Sequence, residues 1–258
     1  GQILQSYAEK DHRIKLINRN DNRGIVATLN EGLSYVTGRY VSQVDGDDIA
    51  MPEMLATQFV YLENHPECVA VGQRVLMIDA DDAPIRVFNN LMTHEEIDAA
   101  HMKGLGAFSH SGSMVRRDAM ERVGGYRQEM ELAEDMDLWL RLAEIGRLAN
   151  LPNVLFKYRL HSKSVSYSKR VSQLKATRAV VIDAHRRRGL PLPEGMKNDP
   201  DITEKDLPTL AGNHRVWAWW ALGDGYVDTA RKHALCALTK EPLTWDSWKV
   251  TLCALRGW

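Results

Sequence analysis

Apolar residues recur along this chain at two spacings, and the change from one to the other marks out its elements. From Ile25 to Val36 they fall at Val26, Leu29, Leu33 and Val36, the spacing of a helix with one buried face, and Gly38 closes the segment. On either side the period shortens. Arg13 to Asn18 alternates polar and apolar residues and predicts a strand, and Asn20 to Gly24 reads as a turn. Tyr40 to Val44, β-branched and largely apolar, predicts a second strand. Strand, helix, strand is the unit that builds a parallel sheet. One such unit leaves a sheet little to pack against, so the chain is expected to open in mid-fold, with at least one earlier unit absent. Residues up to about Lys10 read as helical.

The pattern continues in alternation. Pro52 to His65 predicts a helix, with Pro near its start, where a missing N–H costs little. Val69 to Ile78 is a β-rich run. Asp79 to Asp82 reads as a hairpin turn into a further run, Ile85 to Phe88. Thr93 and Glu96 form a capping box at the head of a helix reaching Lys103. Ser113 to Val115 predicts a short strand, and Arg117 to Val123 a helix ended by Gly124-Gly125. From Glu131 onward, Leu132, Met136, Trp139, Leu140 and Ala143 share a helical face that Gly146 terminates. Asn153 to Leu160 predicts a strand.

Beyond Ser162 the character changes. Val171 to Arg188 is a long helix with a basic end, and 189–208 is a Pro- and acid-rich linker or ordered loop. Trp217, Trp219, Trp220 and Leu222, then Asp228 to Thr239, then Leu243 to Leu255, read as packed helices rather than a ligand box. This divides the chain into an α/β domain at 1–166 and a C-terminal helical extension at 167–258.

Composition narrows the classes. Of the 258 residues, 44% are hydrophobic and 26% charged, ordinary for a globular chain with a sizeable core. The formal net charge is −1, which argues against a nucleic-acid partner. No apolar run reaches membrane-spanning length and no signal peptide opens the chain. Three widely spaced cysteines, Cys68, Cys236 and Cys253, fit neither a zinc site nor a disulfide framework and suggest a reducing compartment.

The candidate chemistry sits at element ends. The strand at Tyr40 runs into Asp45-Gly46-Asp47-Asp48, three carboxylates within four residues. If strand geometry persists through Gly46, Asp45 and Asp47 project together, two hard oxygen donors suited to Mg²⁺ or Mn²⁺. In open α/β sheets, ligands bind at the strands' carboxyl ends. A plain turn explains the same residues equally well. An EF-hand does not, because Ile49 and Ala50 stand where that pattern needs an acidic or amide residue and Gly. Glu134 and Asp135 fall in a helix's first turn, where they either complement the dipole or place a general base at a cleft mouth. Arg159 and His161 end a strand, and both could meet a diphosphate or a metal.

In order and spacing these motifs resemble the family-2 glycosyltransferases. The residues concerned are Arg13-Ile14, Asn22-Arg23-Gly24, Asn30-Glu31-Gly32-Leu33, Gly38-Arg39-Tyr40, Asp45-Gly46-Asp47-Asp48, Gly125-Tyr126, Glu134-Asp135 with Leu138-Trp139 and Arg141, and Tyr158-Arg159 with His161. The likeness covers about Asp11 to Ser166. It implies an α/β GT-A fold, a Rossmann-like and mostly parallel central sheet flanked by helices, carrying the C-terminal α-helical extension. It implies a nucleotide-sugar donor, most simply a UDP-sugar, and a saccharide or lipid-linked acceptor in surface polysaccharide synthesis, joined by an inverting, Mn²⁺- or Mg²⁺-dependent transfer. Asp45 and Asp47 resemble the family's DxD motif, with Asp48 supporting them. Asp47 and His161 would hold the metal, and Asp45 the metal or the donor's ribose. Asn22, Gly24, Asn30 and Arg159 would join them at the donor. Asp135 resembles the catalytic base, with Glu134 beside it. The resemblance also implies a cytoplasmic protein; the basic run Arg186 to Arg188 permits contact with the inner membrane face, though a solvated helix end explains it more simply. Two other functions compete: a binding or scaffolding protein that keeps the fold without donor affinity, and a sugar-nucleotide nucleotidyltransferase. The second needs a Gly-rich basic phosphate loop that is not visible, and Glu134-Asp135 argues for glycosyl transfer.

Overall fold

The computed structural model describes residues 1–88, 90–161, 167, 169–196, 203 and 207–257. Its centre is a sheet of six strands: β1 (Tyr40–Ser42), β2 (Ile49–Ala50), β3 (Cys68–Ile78), β4 (Pro84–Phe88), β5 (Met114–Arg116) and β6 (Arg147–Arg159). The order is β1-β5-β3-β6-β2, with β4 hairpinned onto β3. The sheet is mixed. Its long parallel pair is β3 with β6, with Val71 opposite Ala149 and Val75 opposite Phe156. The other pairings are antiparallel.

Period-two alternation divides the core between the two faces of the sheet. Ala70, Val115 and Leu148 join one cluster with Val26, Ile97, Leu138, Trp139 and Leu142. These come from α2 (Ile25–Ser34), α4 (His94–His101) and α6 (Glu134–Ala143). Their strand neighbours Val71, Met114 and Ala149 point the other way and meet Met54 and Leu62 of α3 (Met54–Asn64). Helices therefore cover both faces, as expected of an α/β fold. The Thr93–Glu96 capping box is present at the head of α4. Gly124, at φ 77°, closes α5 (Arg117–Val123) in the left-handed conformation.

Several sequence expectations need correction. Arg13 to Asn18 is not a strand: 14–19 has no ladder partner, and an unpaired segment gains none of the bonds that define one. α1 (Gln2–Ala8) precedes it. The strand at Tyr40 lasts three residues, and Asp45 to Asp48 form a turn closed by Asp48 N–H donating to Asp45 O at 3.2 Å. β6 begins at Arg147 rather than Asn153. Its register against β3 jumps from Leu151 to Val154, so Pro152, which lacks an N–H, falls in a bulge. α6 starts at Glu134, and Leu132, with φ 77°, lies outside it.

The C-terminal helices are α7 (Arg170–Arg187), α8 (Leu210–Gly223), α9 (Val227–Lys240) and α10 (Trp245–Arg256). α7 lies on α6 through Val180, Ala184 and Leu140. α8 to α10 close over a core of small residues, including Ala218, Ala221, Ala230, Ala234 and Ala254. Trp217 of α8 meets Ile85 and Leu160, which docks this unit on the β3–β4 hairpin. The expected boundary at 166–167 adjoins residues outside the described set, as does much of the 189–208 segment. At the basic end of α7, Arg186 and Arg187 are exposed, while Arg187 pairs with Glu144 at 2.8 Å and Arg188 with Asp98 at 2.7 Å. Among the described residues, no helix is long and apolar enough to cross a membrane.

Candidate active site

The carboxyl end of the sheet opens into a cleft of about 710 Å³. One wall is the Asp45–Asp48 turn. Asp45 N–H donates to Ser111 Oγ at 2.9 Å, and Asp45 Oδ1 accepts from Gln43 Nε2 at 2.7 Å. The segment around Ser111 packs closely on the sheet beside this turn because Gly112, at φ 87°, has no Cβ. One built there would stand 2.7 Å from the Phe156 ring. Asp47 reaches into the cleft, its Oδ2 3.1 Å from His161 Nε2. Asp48 does not line the cleft: its Oδ1 accepts from Arg159 N–H at 2.9 Å, and burial raises its carboxyl above the ordinary value.

Arg159 borders the cleft, but its guanidinium is engaged with protein. Nε donates to Asp47 O at 2.8 Å, Nη1 to Asp79 O at 3.0 Å, and Nη2 pairs with Asp82 at 2.6 Å. It acts as a brace between two turns, where sequence reasoning expects a diphosphate contact. Asn30 is absent from the cleft. Its amide brackets the Tyr126 backbone, Nδ2 donating to Tyr126 O at 2.8 Å and Oδ1 accepting from Tyr126 N–H at 3.0 Å. Asn22 and Gly24 do line it, with Asn22 Oδ1 accepting from Gly24 N–H at 3.0 Å as the chain turns into α2.

The opposite wall is the start of α6. Glu134 and Asp135 both line the cleft. Glu134 is 8% exposed, and its Oε2 has no partner. Burial, with Asp135 adding repulsion, lifts its carboxyl to about 7. Asp135 Oδ1 accepts from Met136 N–H at 2.7 Å. Asp137, one turn on, faces away from the cleft and is fully buried between Arg127 and Arg141. Arg141 in turn donates to Val123 O at 2.6 Å and Gly125 O at 2.8 Å, which fixes the end of α5 against α6.

His110 sits between the two walls, and sequence reasoning assigns it no role. Its Nε2 is 2.8 Å from the Tyr126 hydroxyl and its ring lies against Trp139. Burial lowers its pKa, opposed by the charges of Asp135 and Asp45. Its only sequence signal is its position in a stretch of small residues. Ser111, Lys169 and Gln173 also reach the cleft without a local signal, and Tyr158 reaches it beside Arg159.

Among the described residues, no three His, Cys, Asp or Glu side chains converge as a ready-made metal cluster. Asp47 and His161 offer two adjoining donors. That set suits a hard divalent ion that takes its remaining ligands from water and a substrate's phosphates.

The model of glycosyl transferase family 2 matches residues 1–124. EpsE of Bacillus subtilis is 35% identical over 196 residues, 74% of this chain and 68% of EpsE. The amylovoran biosynthesis glycosyltransferase AmsE of Erwinia amylovora is 35% identical over 147 residues, 56% of this chain and 54% of AmsE. The matches thus span between about half and about two thirds of these relatives. In fold, the chain is similar to a mannosyltransferase of Pyrobaculum calidifontis solved with GDP-mannose and Mn²⁺. The TM-score is 0.51 at 16% identity, over 99% of this chain and 71% of that one. The sheet with its flanking helices and C-terminal helical unit is accordingly a GT-A architecture, and the chain belongs to glycosyltransferase family 2.

Proposed function

We propose that this protein transfers a sugar from a nucleoside-diphosphate donor, a UDP-sugar, to a saccharide or lipid-linked acceptor during surface polysaccharide synthesis in the cytoplasm. One observation carries the reading: a single cleft has the Asp45–Asp48 turn with His161 on one wall and Glu134-Asp135 on the other. The name of AmsE supports a polysaccharide product. In this reading Asp47 and His161 hold Mn²⁺ or Mg²⁺, with Asp45 alongside. The ion, when bound, offsets the charge of the donor's diphosphate. Asn22 and Gly24 shape the donor side of the cleft, and Asp48 and Arg159 hold the metal turn in place. Asp135 takes the proton from the acceptor hydroxyl. The acceptor oxygen forms its bond to the anomeric carbon as the bond to the diphosphate breaks, and that electron pair leaves with the nucleoside diphosphate. Direct displacement from the opposite face inverts the anomeric centre. Glu134, lifted to about 7 chiefly by burial at the same helix end, keeps a large protonated fraction near neutral pH and so adds less negative charge beside Asp135. Calorimetry of UDP binding with and without Mn²⁺ tests the donor site. Wild type is expected to bind only with the metal, and Asp47→Ala to lose at least about tenfold in affinity, since it removes a charged ligand. Equal binding by both proteins, or binding by neither, would overturn the assignment.

A further inference from the structure

The β3–β4 turn touches both the candidate donor site and the C-terminal helices. Its centre is Asp79, 2% exposed, whose Oδ1 accepts from Asp81 N–H at 2.9 Å and from Ala83 N–H at 3.0 Å. That leaves Oδ2 facing out of the turn. Lys232, on α9, places Nζ 2.6 Å from Asp79 Oδ2 and 2.6 Å from Asp81 Oδ2. His233 Nε2 stands 3.2 Å from the same Asp79 oxygen, but burial lowers the histidine to about 4, so near neutral pH the cation on Asp79 is Lys232. On the other side of the turn, the carbonyls of Asp79 and Ala80 accept from Arg159 Nη1, and Asp82 pairs with Arg159 Nη2. The same guanidinium donates to Asp47 O, and the Arg159 backbone N–H holds Asp48.

We propose that Lys232 is a positioning residue for the Asp45–Asp48 turn, so that the C-terminal helical unit sets the geometry of the donor site through the β3–β4 turn and Arg159. Every link is a charged or charge-assisted contact, the class with the narrowest geometry. The alternatives for Arg159 are few: once the β3–β4 turn shifts, its fork no longer spans both turns. The unit also holds β4 from outside the turn, with Asp224 Oδ2 accepting from Val87 N–H at 2.7 Å and Arg86 lying over Trp220 at 4.9 Å. Losing Lys232 alone therefore loosens the turn without undocking the helices. The functional consequence rests on the donor-site reading above; the mechanical coupling does not.

The test compares Lys232→Met, Lys232→Arg and Arg215→Met. Arg215 ties α8 to Glu241 at 2.6 Å and to Ser247 at 3.1 Å. It serves as a control inside the same unit. Hydrogen exchange of peptides over 43–51 and 79–84 reads the coupling, and calorimetry reads Mn²⁺-dependent UDP binding. Lys232→Met is expected to speed exchange in 43–51 and weaken UDP binding, each by about threefold or more. Lys232→Arg should restore both, and Arg215→Met should lower thermal stability without either effect. Exchange in Lys232→Met that rises over 79–84 but is unchanged over 43–51 would overturn the proposal. Should Lys232→Met fail to fold, Asp81→Asn removes the exposed half of the bridge, and exchange over 43–51 must rise in it too. If wild type binds no UDP, the donor-site reading fails while the exchange experiment still decides the coupling.

Discussion

Replacing Glu134 with Gln tests the electrostatics of the cleft directly. In the folded protein the Glu134 carboxyl is held at about 7, against an ordinary 4.5, first by burial and then by the charge of Asp135. The folded state therefore keeps a proton that the unfolded state releases between those two values. Where the folded state binds more protons, stability falls as pH rises. The fall begins near pH 4.5, runs to about pH 7 and then levels off. Its size follows from the shift: about 2.5 units at 1.36 kcal/mol each gives about 3 kcal/mol. Gln is nearly isosteric and stays neutral, so Glu134→Gln removes the fall. Urea denaturation at pH 5 and pH 8 measures it. The variant should match wild type near pH 5 and exceed it by about 2–3 kcal/mol at pH 8. Parallel pH profiles for the two proteins would refute the reasoning. They would mean that the carboxylate is already compensated in the folded state, despite an Oε2 with no partner.

Two further substitutions separate structural groups from cleft groups. Asp137→Asn strips the fully buried acid from between Arg127 and Arg141; Arg127 keeps Asp183 at 2.6 Å, but leaving the buried Arg141 without its carboxylate should cost about 3–5 kcal/mol by urea titration. A loss under about 1 kcal/mol would show that Arg141 finds other acceptors. Asn30→Ala orphans the Tyr126 backbone and should destabilise by about 1–3 kcal/mol. Its UDP affinity should nevertheless stay at the wild-type value, and a loss of about tenfold or more would place Asn30 at the donor after all.

What the sequence reveals is mostly local. Thr93 and Glu96 announce α4 because a capping box is written within four residues, and Asp79 to Asp82 announce a turn because a β-rich run resumes directly after them. The helices of the C-terminal unit follow from apolar spacing alone. Strand direction does not, since alternation looks the same whichever way the neighbour runs. β5 therefore pairs antiparallel with both β1 and β3 without any warning in the pattern. The first half of β6 is hidden by the bulge at Pro152, which breaks the alternation. In the site, Asp45, Asp47, Glu134 and Asp135 are legible as carboxylates at element ends. Their supports are not, because each acts across a long stretch of chain: Ser111 on Asp45, Arg159 on Asp47, Asn30 on Tyr126 and Lys232 on Asp79.

The charge lining the cleft gives a physical reason to expect a cation with the donor. Asp45, Asp47, Glu131, Glu134 and Asp135 face it, against Arg159 and Lys169. Glu134 is lifted to about 7 and burial lowers His110, so these two partly withdraw from the balance near neutral pH. Arg159 is 18% exposed in its side chain and has both ends of its fork on protein oxygens. A diphosphate entering this cleft meets carboxylates whose repulsion is not offset by the surrounding cations, and charges a few ångströms apart in a partly closed site interact far more strongly than in water. On the reading proposed above, Asp47 and His161 would hold a divalent ion that would offset this repulsion where the diphosphate would lie. The same electrostatics predict that an uncharged ligand such as a nucleoside gains little from the metal, so the metal-free arm of the UDP titration is as informative as the Asp47→Ala arm.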